Sequence, residues 1–111
     1  MRNTIDGTQI FESKFEMGLK FGTNVISGIA ASYTFDRDAP VINYLSLNSA
    51  QNINMPANEK GLTFIFINNS GAANTATIKD SDTTTTRGTI AQSAAAIITS
   101  DGTRWWVLPL T

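Results

Sequence analysis

Apolar residues in this chain come in short runs, and most of those runs alternate with polar positions. From Val41 onward the pattern predicts strands over residues 42–47, 53–55, 62–67, 75–79, 83–86, 89–90, 95–99 and 105–108. These runs are rich in β-branched and aromatic residues, and Asn48-Ser49, Pro56-Ala57-Asn58, Asn68-Asn69-Ser70-Gly71 and Asp101-Gly102 punctuate them. No window there keeps a 3.6-residue period long enough for an ordinary helix. Ala94-Ala95-Ala96 could open a short one, but β-branched Ile97, Ile98 and Thr99 follow directly. The predicted class is therefore all-β, a small antiparallel β-sandwich or jelly-roll-like domain.

Two stretches depart from simple alternation. Thr63-Phe64-Ile65-Phe66-Ile67 is apolar on both faces, as expected of a central strand covered by the core on one side and by another sheet or subunit on the other. The closing stretch carries Asp101-Gly102 between two β-rich runs, the signature of a type I′ hairpin whose central residues take φ > 0. With that two-residue loop, Ile98 faces Trp105, Ile97 faces Trp106 and Ala96 faces Val107. Both faces of the hairpin are then partly apolar, so its second face is expected to be covered as well.

The first 38 residues read differently. Phe11, Phe15, Leu19 and Phe21 are strung between Glu12, Lys14, Glu16 and Lys20, and Gly18 and Gly22 limit any helix that the Phe11, Phe15, Leu19 spacing suggests. Residues 22–30 read as an extended strand between glycines. The expected organisation is an N-terminal arm over residues 1–38 that contacts a partner or neighbouring subunit, and a β-sandwich over residues 39–111. A chain beginning near Asp36 is accordingly expected to fold alone.

Composition narrows the function classes. The chain has 111 residues, no cysteine and no histidine, 15% charged residues and a formal net charge of -1. Its size suits one small domain that gains from oligomerisation. Disulfides and thiolate metal sites are excluded. The eight basic residues are scattered from Arg2 to Arg104, so a nucleic-acid partner, which needs clustered Lys and Arg, is not expected. No apolar run approaches the roughly 20 residues of a membrane-spanning helix, and residues 1–6 lack the apolar core of a secretory signal. Synthesis in a reducing cytoplasm, with no membrane partner, is the expectation.

Candidate chemistry is sparse. Without His or Cys the usual general base and thiolate nucleophile are missing, which leaves only carboxylates such as Asp36 with Asp38 and Asp80 with Asp82. Each pair sits at a predicted strand end, where Asp forms turns. Asp80 and Asp82 could also contribute to a calcium site, but the EF-hand spacing is absent. Asn68-Asn69-Ser70 matches a glycosylation sequon, and in a chain without a secretion signal it reads as a turn. Trp105 and Trp106 could form a sugar platform, yet neighbours on a strand point to opposite faces, so one in the core and one at a subunit boundary is the plainer reading.

The order Asn54-Met55-Pro56-Ala57, Gly61 to Asn69, Ala76-Thr77-Ile78-Lys79-Asp80 and Ser100-Asp101-Gly102-Thr103-Arg104-Trp105-Trp106-Val107 resembles the small β-sandwich domains of tailed-bacteriophage virion proteins, including capsid decoration (cement) proteins and head fibres. The resemblance spans roughly residues 36–110. It implies a structural protein without chemistry or cofactor of its own: a homotrimer on the outside of the phage head, contacting the major capsid protein and stabilising the shell. A tail-fibre or baseplate module and a carbohydrate-binding receptor module are the alternatives. Under this reading Ile65, Ile67, Ile97 and Trp106 are the expected subunit-interface residues, and Phe11, Phe15 and Phe21 the expected capsid-binding residues.

Overall fold

The computed structural model describes residues 20–110. Among these residues nine strands form: β1 (Thr23–Ile29), β2 (Tyr33–Thr34), β3 (Ile42–Leu47), β4 (Gln51–Asn54), β5 (Thr63–Asn68), β6 (Ala76–Lys79), β7 (Thr86–Ile90), β8 (Ala95–Ser100) and β9 (Trp105–Leu110). They form two sheets: sheet A in the order β1-β3-β5-β8-β9 and sheet B in the order β2-β4-β6-β7. The all-β, sandwich-like architecture expected from alternation is present, and Ala95 and Ala96 open a strand.

Strand direction is a correction. Four of the seven neighbouring pairs are parallel, namely β1 with β3, β3 with β5, β2 with β4 and β4 with β6. The other three, β5 with β8, β6 with β7 and β8 with β9, are antiparallel. From β1 to β6 the chain alternates between sheets, as in a short solenoid. Parallel neighbours need a crossover of about a dozen residues, and here each crossover is itself a strand of the opposite sheet. After β6 the chain turns back on itself, so β7 and β8 run against the strands they join. A fully antiparallel sandwich or jelly roll is therefore not what forms.

The core lies between the sheets. Phe35, Phe64 and Phe66 meet there, with Phe35 ring centroids 4.7 Å from each of the other two, and Trp105 lies 6.3 Å from Phe64. Leu45, Ile53, Ile78 and Ile98 complete its centre and are fully buried. Since Phe35 is 2% exposed and Ile26 and Ile29 are also buried, residues 23–38 are built into both sheets. The expected boundary between residues 38 and 39 thus does not coincide with a break in packing, and a chain starting near Asp36 would lose β1, β2 and Phe35 from the core.

Each end of the sandwich carries a polar clip. At one end Asn68, fully buried, donates through Nδ2 to the carbonyls of Asn74 and Ile90, while its Oδ1 accepts from Ser70 N and Oγ. Ser70 Oγ in turn accepts from Leu47 N at 2.9 Å. At the other end Asp80, 4% exposed, accepts from Arg87 Nε at 2.6 Å, Trp105 N at 3.0 Å, Asn58 Nδ2 at 3.0 Å and Ser81 N at 2.7 Å. Burial pushes the Asp80 carboxyl up, but these four hydrogen bonds outweigh it and hold the group well below the usual carboxylate range.

Candidate interaction face

Side chains on sheet A that point away from the core lie in register across its strands. One row runs Thr23, Ile42, Ile65, Ile97, Leu108, and the next runs Val25, Tyr44, Ile67, Ala95, Leu110. A shorter third row holds Thr63, Thr99 and Trp106, with the two threonine hydroxyls 2.8 Å apart. No charged residue occupies these rows. Val25 is 67% exposed, and Trp106, Leu108 and Leu110 are 43%, 47% and 46% exposed.

Sheet B is the opposite. Its outward rows are Asn52, Thr77, Thr89 and Thr34, Asn54, Lys79, Thr86. Both sheets bury an apolar inner side, but only sheet A also presents an apolar outer one.

Of the residues expected at a subunit interface, Ile65 and Ile97 face each other across β5 and β8, Ile67 is two positions along β5, and Trp106 pairs with Thr99. The structure brings all four onto one face. Phe21 is 49% exposed just before β1, whereas Phe11 and Phe15 lie outside the described residues. The Leu108 and Leu110 positions went unread in the sequence, although Trp106, Leu108 and Leu110 at every second residue of β9 carry the signal.

The closing hairpin differs from the type I′ reading. Ile98 pairs with Val107, Ile97 with Leu108 and Ala96 with Pro109, a slip of two residues from the expected register. Asp101 explains it: its Oδ1 accepts from Thr103 N and Arg104 N, folding residues 101–104 into a longer loop, and only Gly102 takes a positive φ, of 97°. A two-residue slip preserves facing, so Trp105 still points inward and Trp106 outward. Asp101 Oδ2 also accepts from Trp106 Nε1 at 2.9 Å, and the Arg104 guanidinium lies 4.2 Å from the centre of the Trp106 ring. Led by the Trp106 bond, these contacts hold the Asp101 carboxyl at about 2.

The carboxylates have structural partners. Asp36 Oδ1 accepts from Asp38 N, and Arg37 pairs with Asp38 and Glu59. Asp82 caps the 82–85 turn through Thr85 Oγ1, Thr85 N and Thr84 N, which hold it at about 2. Among the described residues no three His, Cys, Asp or Glu side chains cluster as a metal site. Comparison with protein families, with curated proteins and with solved structures finds no match to this chain.

Proposed function

We propose that this chain is a structural virion protein, a capsid decoration (cement) protein that binds the outside of a phage head as a homotrimer, contacts the major capsid protein and stabilises the shell. The observation that carries the reading is the one-sided body. A two-sheet domain presents one broad, uncharged apolar face and one polar face, and this serves assembly rather than turnover. The resemblance of residues 36–110 to virion sandwich domains supports the same reading. Co-sedimentation of the purified chain with phage heads, followed by electron cryo-microscopy of the particle, tests it. Density for the chain on the outer shell is expected; density only on the tail or baseplate would replace decoration with the tail-module alternative.

One observation favours a carbohydrate-binding module instead: the indole of Trp106 stands half-exposed on the outer face with the Asp101 carboxylate at its edge. Glycan binding abolished by Trp106→Ala, without any particle binding, would select that reading.

A further inference from the structure

We infer that the outer face of sheet A is an interface between copies of this chain, anchored on the β9 row Trp106, Leu108 and Leu110. The inference rests on the proposed function only in taking the chain as an assembly protein; a face that meets its own copy closes as a two-fold pair, so it sets a dimer against the homotrimer. Three large apolar side chains, each more than two-fifths exposed, stand on one edge strand, and Ile65 and Ile97 continue the surface inward. With Val25 they expose on the order of 500 Å² of apolar area, near the upper end of what monomers leave open. Such an area approaches one partner's share of a small specific interface.

The choice of a second copy follows from charge. A strongly acidic or basic partner would find no complement in rows that hold no charged side chain. A copy of the same face brings matching apolar surface and no like-charge repulsion. Closing residues support the anchor role of Trp106. Its only polar atom is already satisfied by Asp101, and the Arg104 guanidinium over its ring fixes the indole plane. A side chain held this way loses little freedom on association and buries no unpaired donor. Trp and Arg are also the residue types most enriched where binding energy concentrates.

The test uses the full chain in solution. Light scattering from low to high micromolar concentration should show association, and Leu108→Lys or Trp106→Ala should each weaken it by at least about tenfold while the far-ultraviolet circular dichroism stays unchanged. Acrylamide quenching gives a second readout. Trp105 is protected throughout, so dilution should expose one tryptophan, and Trp106→Phe should abolish that change. A dimer sensitive to these substitutions upholds the interface and overturns the homotrimer. A trimer indifferent to both variants, with no Trp106 protection, overturns the interface and keeps the homotrimer. A monomer at every concentration overturns the inference, and if it still co-sediments with heads, the decoration reading survives without it.

Discussion

Trp105 and Trp106 are adjacent in the chain and meet opposite surroundings. Trp105 is fully buried against Phe64 and donates from Nε1 to the Pro56 carbonyl at 2.9 Å; Trp106 is 43% exposed and donates to Asp101. Strand parity imposes the difference. Trp105→Ala should therefore cost about 3–5 kcal/mol of stability through cavity formation. Trp106→Ala should stay within roughly 0.5 kcal/mol for the monomer. Urea denaturation at low protein concentration, where association does not contribute, checks both values.

Asp80 ties β6, β7, β9 and the 56–60 loop through one carboxylate. Replacing it with Ala leaves Arg87 and the Trp105 amide without their acceptor, and the expected loss is about 2–4 kcal/mol. Arg87→Met should cost less, because the three remaining donors still satisfy Asp80. Denaturant midpoints of the two variants give the comparison.

The same group sets an acid dependence. Its folded value lies below the ordinary 3.8, so the unfolded chain takes up the proton first as pH falls. Stability from Asp80 is present above about pH 4 and is lost as pH drops through the folded value. Asp82 and Asp101 shift in the same direction, and the absence of histidine removes the usual source of change between about pH 5 and 8. Urea midpoints should be nearly flat near neutrality and fall below pH 4, with a shallower acid limb in Asp80→Asn.

Gly88 permits a close approach of β7 and β9, since a Cβ there would sit 2.9 Å from Val107 Cβ. Gly88→Val should destabilise by about 1–3 kcal/mol through overpacking, and Val107→Ala should restore part of the loss. Gly102→Val should cost a similar amount for a different reason, its φ of 97°, and Val107→Ala should leave that loss untouched. Thermal melts of the single and double variants separate the two causes.

Removal of residues 1–35 should prevent cooperative folding, because β1 and β2 leave and take Ile26, Ile29 and Phe35 out of the core. A sharp thermal transition in the truncated chain would show that β3 to β9 form a self-sufficient body.

Facing was readable in the sequence and direction was not. The period-two facing of Ile42–Leu47 and Thr63–Asn68 follows from the strand assignment and reads the same whether a neighbour runs parallel or antiparallel, although Thr63–Ile67, apolar on both faces, does not itself say which face meets the core. The parallel winding depends on which residues meet across the sandwich, a long-range property. The hairpin register failed for a local reason: Asp101 has enough acceptor capacity to hold a four-residue loop, and the Asp-Gly pair alone does not reveal that. Asn68 reads as a turn residue, yet it is fully buried, as is Asn43 in β3, because nearby backbone carbonyls receive their amides. The apolar excess of β5 and β8 points to the shared outer face of Ile65, Ile67, Ile97 and Trp106, while Leu108 and Leu110, near the chain end, continue it along β9.

Because β1, β3 and β5 repeat in one direction on sheet A, as β2, β4 and β6 do on sheet B, the body has a natural unit of growth. Ile42 follows its partner Thr23 by one such unit, and Ile53 follows Tyr33 by another. An inserted unit of about twenty residues between them would lengthen each sheet by one strand, about 4.8 Å, while the reversed strands β7, β8 and β9 kept their contacts. Height along this stack is thus separable from its closed end, and relatives of different length could share the same terminal hairpin.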